Sequence, residues 1–285
     1  MLTEQEIKKY KEEGILILKG VVPRQKIQAY REAYERMREK VLAHPDKKRV
    51  YGARIIGDKT GIPTHTPEDD RKIECWGADF LLHPALYEPE FTDYLQNKRL
   101  ISLLRDLLGP DIGIYGLKAI WSPVNATYDL TWHRDGKKEV YSKDGIPPGW
   151  LQFMTALYPE ESFRVVRGSH LRPLTEEEDR KCGTVENVSN EEICALEPGD
   201  ALFMHQAVFH RGRADASTRR RAFQYILARA DFPVGRRRLE QFKGWYEELK
   251  LEEKLDSTAK PLFDRFFSWE GRAFDDAEYG TKYED

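Results

Sequence analysis

Residues 1–110 carry their apolar positions mainly at helical spacing. The strongest pattern predicts an amphipathic helix over residues 24–43, where apolar side chains recur every three or four positions. A capping box at Thr3 and Glu6 starts a short helix before the strand-like sequence ILILK. Residues 45–83 are rich in turn formers and charges and lack a clear period, which predicts loops that could form a lid. A helix over RLISLLRDLLG closes this part.

Residues 111–232 change to short apolar runs separated by glycine, proline and charged turns. Strand-like composition, without helical periods between the runs, is found in IGIYGLKAIW, YDLTWH, WLQFMTALY, FRVV, ICAL, DALFM, AVFH and RAFQYILAR. This spacing predicts an antiparallel sandwich, jelly roll or barrel rather than a parallel sheet. Residues 233–285 return to helical spacing and end in an acidic, aromatic tail. We therefore expect one mainly β domain with helical N-terminal and C-terminal parts.

The charge balance and the hydropathy limit the partners of the chain. The sequence has 46 Lys and Arg against 49 Asp and Glu, a formal net charge of −3, so no overall basic field argues for nucleic acid. No apolar run approaches the ~18 residues that a membrane span needs, and the first residues lack a signal-peptide pattern. Three widely spaced cysteines fit neither a disulfide framework nor a CxxC zinc site. We expect a cytoplasmic protein with reduced cysteines.

The sequence DLTWHRDG contains the strongest candidate for chemistry. His133 and Asp135 are two positions apart, so a strand through them presents both side chains on one face. His210, at the end of AVFH, could join them from a partner strand. Two histidines and one carboxylate on one face of a metal are the facial arrangement of non-haem Fe(II) oxygenases. The His-x-Asp pair alone also fits a surface turn, and the triad also fits a zinc hydrolase.

The sequence around this triad resembles the phytanoyl-CoA dioxygenase-like family. The resemblance rests on FRVVRGSHLRP, LEPGDALFMHQAVFHRGRADAS and RRRAFQYIL, together with the N-terminal LTEQEIKKYKEEGILILKGVVPRQKI, and spans roughly residues 3–230. It implies a double-stranded β-helix, a cupin-like jelly roll, that binds Fe(II) and 2-oxoglutarate and uses O2. By this resemblance, His133, Asp135 and His210 are the iron ligands. His205 is the competing third ligand, but it has the opposite strand parity to His210.

The resemblance also implies an arginine eleven residues after the distal histidine, which here is Arg221. Its guanidinium would hold the far carboxylate of 2-oxoglutarate through two parallel hydrogen bonds, a geometry that lysine cannot reproduce. Arg221 shares strand parity with Phe223 and Tyr225, so it points into the barrel if those aromatic rings do. The other reading is a solvated basic run at a strand start.

Further co-substrate contacts follow from the same resemblance. Ser217 stands where a serine often assists the arginine, and Lys118 and Trp150 match positions that contact 2-oxoglutarate in the family. A charged edge strand and an ordinary core position are the structural alternatives for Lys118 and Trp150. His170 lies in the RGSH sequence, which resembles a family motif whose glycine and serine shape a tight turn, and its expected role is structural.

The implied reaction is the oxidation of a small molecule, with release of succinate and CO2. Asp135 fills the position that a halogenase leaves vacant, which favours hydroxylation or a related oxidation over halogenation. Desaturation, ring closure and epoxidation are the alternatives to hydroxylation. The alternatives are a non-catalytic jelly-roll ligand-binding module and a zinc-dependent hydrolase that uses the same triad.

Five arginines flank the presumed metal in the sequence, namely Arg134, Arg164, Arg167, Arg211 and Arg213. If two or more face the pocket mouth, they would receive an anionic group of the substrate, with Arg134 and Arg167 as the main candidates. The alternative is that most of them point outward and pair with surface acids.

Overall fold

The structure, a computed structural model, describes residues 1–55, 75–123, 127–135, 149–214, 217–232, 234–269 and 273–274. Its helices are α1 (Glu4–Glu13), α2 (Arg24–Ala43), α3 (Lys47–Tyr51), α4 (Pro89–Asp93), α5 (Lys98–Leu108), α6 (Glu176–Lys181), α7 (Arg236–Glu248), α8 (Leu251–Lys254) and α9 (Lys260–Phe267). Its strands are β1 (Ile15–Leu18), β2 (Ala53–Ile55), β3 (Cys75–Ala78), β4 (Ile112–Trp121), β5 (Tyr128–Asp129), β6 (Trp150–Ala156), β7 (Glu160–Val166), β8 (Glu192–Leu196), β9 (Ala201–His205), β10 (Phe209–Ala214), β11 (Arg221–Arg229), β12 (Val234–Gly235) and β13 (Ala273–Phe274).

Two antiparallel sheets face each other and form the body of the protein. Within the described ranges, the large sheet has the strand order β1-β9-β6-β11-β4-β3-β2, and the small sheet has the order β5-β10-β7-β8. Alternate side chains of both sheets meet in a shared apolar core, which includes Met154, Leu202, Phe163 and Val165. The jelly roll expected from the sequence is confirmed, and each of its eight expected apolar runs overlaps a strand.

The outer face of the large sheet is covered by helices, so its outward positions are apolar as well. Phe223 of β11 packs against Tyr30 and Tyr34 of α2, with ring centroids 6.1 and 5.6 Å apart. Tyr225 lies on the same face, 5.3 Å from the ring of Tyr94. The aromatic positions of β11 therefore face the helices rather than the other sheet.

The sequence predicts a helical part before about residue 110 and the jelly roll after it, but the large sheet contains strands from both parts. β1 is an edge strand of the large sheet and pairs with β9, while β2 and β3 extend the opposite edge. Residues 45–83 were expected to be loops, yet β2 and β3 lie there, because strands of three and four residues are too short to show a period. Residues 56–74 of the expected lid, and the tail after residue 274, lie outside the described residues.

No helix in the described part of the chain is long and apolar enough to cross a membrane.

The packing of Phe223 gives a test of which face of β11 lies against the helices. Phe223 is 0% exposed, whereas Ile193 of β8 is 50% exposed. We expect Phe223→Ala to lower the free energy of unfolding by about 3–5 kcal/mol, because it leaves a cavity between sheet and helices. The control Ile193→Ala should change it by less than about 0.5 kcal/mol. Denaturant unfolding measures both, and equal losses would contradict this packing.

Candidate metal centre and its surroundings

A short stretch of backbone pairing brings the two histidines of the triad together. His133 and His210 form an antiparallel bridge in which each backbone N–H donates to the other residue's carbonyl, at 3.0 Å in both directions. The Asp135 N–H donates to the Gln206 carbonyl at 3.1 Å, which ties Asp135 to the turn between β9 and β10. One ligand atom from each of His133, Asp135 and His210 lies within 4.8 Å of the others. The three residues expected to bind metal are therefore clustered.

Both imidazole rings are oriented by a carbonyl two residues earlier in the chain. The Nδ1 atom of His133 lies 2.7 Å from the Thr131 carbonyl oxygen, and that of His210 lies 2.9 Å from the Val208 carbonyl oxygen. A proton on Nδ1 satisfies these carbonyls and leaves the lone pair of Nε2 to face the cluster. Each Nε2 is 3.9 Å from an oxygen of Asp135, too far for a hydrogen bond and wide enough for an intervening ion.

The protonation state of His210 favours metal binding. Burial lowers the pKa of His210 to about 4, and the neighbouring His133 acts in the same direction. His210 therefore stays neutral near pH 7, as a metal ligand must be. The donor set of two imidazoles and one carboxylate fits Fe(II), which these three side chains would hold.

A relay of two glutamines holds the carboxylate of Asp135. The Gln152 side-chain amide donates to Asp135 Oδ2 at 3.1 Å, and the Gln152 carbonyl oxygen accepts from the Gln224 amide at 2.8 Å. Both glutamines belong to the large sheet. This sheet therefore supports Asp135, whose segment pairs with β10 of the small sheet through His133. Gln152 is not among the residues expected from the sequence, although an amide inside the apolar run WLQFMTALY is a usable signal.

Arg221 does not point into the barrel, so the expectation based on its parity with the aromatic residues is corrected. Since Phe223 and Tyr225 face the helices, Arg221 faces them too, and its Nε donates to Glu35 of α2 at 2.6 Å. Its Nη1 donates to the backbone carbonyl of Arg220 at 2.7 Å.

The arginine inside the barrel is Arg220, whose side chain is 2% exposed. Its Nε donates to Glu160 at 3.1 Å, and its guanidinium carbon lies 5.7 Å from the ring centre of Tyr128. The Nη1 atom of Arg220 and the hydroxyl of Tyr128 each lie 3.5 Å from where a Cβ on Gly212 would be. Gly212 is two residues after His210 in β10, so the guanidinium is one strand step from the metal ligand on the same face.

The other residues expected to contact the co-substrate, Lys118, Trp150 and Ser217, differ in whether they face the barrel interior. Lys118 is in register with Gln224 and so shares the interior face; its Nζ lies 3.7 Å from Asp79. Burial lowers the pKa of Lys118 to about 8. Trp150 begins β6 two positions before Gln152 and is half-buried. Ser217 is exposed in the turn between β10 and β11, away from the interior.

The five flanking arginines do not form a basic rim, so that expectation is also corrected. Arg134 lies on the face opposite its two ligand neighbours and donates to the carbonyls of Ser169 and Arg172 at 2.6 and 2.7 Å. Arg167 pairs with Glu192 at 2.7 Å and with Glu13.

The remaining three flanking arginines pair with acids as well. Arg164 contacts Glu191 at 3.4 Å, while Arg211 and Arg213 contact Asp129 at 3.2 and 3.8 Å. Arg164 alternates with Phe163 and Val165, which face the core, so its side chain leaves the sheet on the other side.

His205 and His170 form a separate pair, with ring centroids 4.9 Å apart. His205 is outside the metal cluster, as its strand parity indicated. His170 lies in the helical turn of the RGSH sequence, and its Nε2 lies 3.0 Å from the Lys11 carbonyl. This contact ties the turn to α1.

The sequence match that decides the family extends over most of the jelly roll and the helices before it. The family model "Phytanoyl-CoA dioxygenase (PhyH)" matches residues 10–223. The chain belongs to the phytanoyl-CoA dioxygenase family. The family assigned from the sequence is therefore confirmed, and with it an enzyme of the non-haem Fe(II)- and 2-oxoglutarate-dependent type. No curated protein sequence matches the chain significantly.

Solved structures share this PhyH fold at low sequence identity. HygX from Streptomyces hygroscopicus, solved with nickel, 2-oxoglutarate and hygromycin B, is 15% identical over 81% of this chain and 89% of its own, with a TM-score of 0.57. EctD from S. alaskensis, solved with bound Fe, is 16% identical over 81% and 78%, with a TM-score of 0.57. SnoN, an α-ketoglutarate-dependent epimerase from nogalamycin biosynthesis, is 18% identical over 80% and 83%, with a TM-score of 0.54.

The glutamine relay of this PhyH protein gives a test of the metal centre. We expect Gln152→Leu to weaken the binding of Ni(II) by about 10–100-fold, because Asp135 loses the donor that orients it. Titration calorimetry measures the affinity. Gln28→Leu is the matched control, since Gln28 contacts only Glu32 on the exposed side of α2 among its described hydrogen bonds. If Gln152→Leu leaves the affinity for Ni(II) unchanged, the glutamine relay does not support the metal centre.

Proposed function

We propose that this protein is an Fe(II)- and 2-oxoglutarate-dependent dioxygenase that hydroxylates a small molecule and releases succinate and CO2. The observation that carries the proposal is the clustered triad of His133, Asp135 and His210, with the buried guanidinium of Arg220 one strand step away on the same face. When bound, iron and 2-oxoglutarate supply the activation of O2, which is coupled to decarboxylation of the co-substrate.

Within this proposal, Arg220 rather than Arg221 binds the distal carboxylate of 2-oxoglutarate. Its Nε is occupied by Glu160, while its Nη1 lies beside Gly212, where the absence of a side chain leaves room. A buried guanidinium is a strong partner for a carboxylate, because burial removes the competition from water. Arg221 is committed to Glu35 on the opposite face of the sheet.

Lys118 and Trp150 remain proposed contacts of the co-substrate. Lys118 faces the barrel interior and lies near enough to Asp135 for the carboxylate to raise its pKa slightly against the effect of burial. Ser217 is a weaker candidate, because it is exposed in the turn before Arg220.

The type of oxidation depends on how many protein ligands hold the metal. Asp135 occupies the third protein position, which favours hydroxylation over halogenation. A small-molecule substrate is supported by HygX, whose structure holds hygromycin B. An anionic group on the substrate gains no support from Arg134 or Arg167, because both are committed to other partners. A cytoplasmic location stays a prediction from the sequence.

Turnover of 2-oxoglutarate tests the proposed reaction directly. With Fe(II), ascorbate and O2, the protein should form succinate, and a library of candidate metabolites should contain compounds that stimulate it. His210→Ala should abolish this activity because it removes an iron ligand, whereas His44→Ala, remote from the cluster, should retain it. Succinate formation that survives in His210→Ala would contradict the proposal. Metal-dependent hydrolysis without 2-oxoglutarate would favour a zinc hydrolase.

The consecutive arginines allow a matched test of the carboxylate anchor. We expect Arg220→Lys to weaken 2-oxoglutarate binding by more than about tenfold, because a point charge replaces a planar fork. Arg219→Lys, at a side chain that is 62% exposed, should leave binding unchanged. Calorimetric titration of 2-oxoglutarate into the Ni(II)-loaded protein measures each affinity. A selective loss in Arg221→Lys would restore the assignment made from the sequence.

A further inference from the structure

Inside the barrel, the guanidinium proposed to bind 2-oxoglutarate already has a carboxylate beside it. Glu160, the first residue of β7, accepts a hydrogen bond from Arg220 Nε at 3.1 Å. The side chains of Glu160 and Arg220 are 0% and 2% exposed, so the pair is shielded from water. A second carboxylate next to a co-substrate anchor competes for the same positive charge, and the function proposed above gives it no role.

Only one of the two oxygens of the Glu160 carboxylate accepts a hydrogen bond from a described residue. The Oε1 atom of Glu160 is buried and has no hydrogen-bond partner among the described residues. The same is true, within those residues, of the Tyr128 hydroxyl, which lies with Arg220 Nη1 beside Gly212. Buried polar atoms without partners cost free energy, so two of them around one guanidinium indicate a site that a polar ligand completes.

Charge balance determines what happens when a dicarboxylate arrives. Glu160 alone can neutralise Arg220 as an ion pair. Once the distal carboxylate of 2-oxoglutarate also reaches Arg220, two negative charges share one guanidinium in a closed, dry space. A proton on Glu160 removes the repulsion and turns its unused oxygen from an acceptor into a donor. A carboxylic acid then donates a short, strong hydrogen bond to the incoming carboxylate.

We propose that Glu160 is part of the 2-oxoglutarate site and that the co-substrate binds to the protonated form of Glu160, so that at alkaline pH its binding takes up one proton from solvent. In this arrangement Arg220 and the neutral acid of Glu160 bind the distal carboxylate from two sides. The inference rests on the function proposed above, since it assumes that 2-oxoglutarate enters the barrel. It makes the affinity for the co-substrate decrease as the pH rises.

The groups around Glu160 agree with this assignment. Arg220 approaches it from the residue before β11, and Cys194 of the neighbouring β8 lies near enough for Glu160 to raise the pKa of its thiol. Burial raises the pKa of the Cys194 thiol to about 12, so this group stays neutral and cannot supply the proton exchange. Tyr128 adds a hydroxyl from β5, and Arg54 lies near enough to lower the pKa of Arg220.

The pKa of Glu160 falls in a range that an experiment can reach. Burial raises it to about 8, well above the usual value of a carboxyl group. Below its pKa, Glu160 carries the proton and favours binding of the co-substrate, and above its pKa it repels the co-substrate. The apparent affinity for 2-oxoglutarate should therefore be nearly constant below about pH 7. Above about pH 8 it should fall towards tenfold per pH unit, because one proton is taken up for each co-substrate.

Titration calorimetry of 2-oxoglutarate into the Ni(II)-loaded protein, from pH 6.5 to 9, tests the inference. Repeating the titration at pH 8.5 in buffers of different ionisation enthalpy counts the protons taken up. The wild-type protein should take up nearly one proton at the higher pH, and Glu160→Gln, a permanent mimic of the neutral acid, should bind with a flat pH profile. Glu161→Gln, at the exposed neighbouring position, should behave like the wild type.

Each outcome decides between the proposals. A wild-type protein that binds 2-oxoglutarate without proton uptake overturns the role of Glu160 and leaves the proposed function intact. Failure to bind at any pH overturns both. A steep profile that persists in Glu160→Gln assigns the proton to another group, of which Lys118 is the first candidate. If Glu160→Gln does not fold, Lys118→Arg, which keeps the positive charge but does not titrate in this pH range, decides instead. Retained uptake supports Glu160, and lost uptake overturns its role.

Discussion

The site depends on two backbone hydrogen bonds between His133 and His210, which join two segments that are far apart in the sequence. These bonds place the two imidazole rings side by side on one face, independently of any side-chain interaction. Each ring is then locked by a carbonyl two residues earlier in its own chain segment. Because the ligand geometry is set by backbone pairing inside a closed pair of sheets, a metal meets donors that are already in place, and little conformational entropy is lost on binding.

The alternation of the strands divides the chemistry of the large sheet between its two faces. Arg220, the residue before β11, and Gln224 within it face the other sheet and carry polar groups of the candidate site. Odd-numbered positions face α2 and carry the aromatic residues and Arg221, which is neutralised by Glu35. A shift of one residue in this strand would exchange the two sets, so the register of β11 fixes both the core and the site.

Most of the fold and the metal triad could be predicted from the sequence, because short apolar runs and a His-x-Asp spacing are local patterns. The arginine proposed as the anchor could not, since three consecutive arginines leave the choice to strand parity, and parity requires knowing which face is covered by helices. Aromatic residues at the odd positions suggested an inward face, yet the helices provide an apolar environment outside the barrel too. Glu160 was missed because a charged residue in a strand normally faces solvent, and only the tertiary structure reveals its buried partner.

A crystal structure of the protein with Ni(II) and 2-oxoglutarate would test the central claim most directly. The account predicts that the metal is bound by Nε2 of both histidines and by the Asp135 carboxylate. It also predicts that the distal carboxylate of the co-substrate lies between Arg220 and Glu160, inside the barrel. A metal bound elsewhere, or a co-substrate carboxylate held by Arg221 on the helix-covered face, would contradict it.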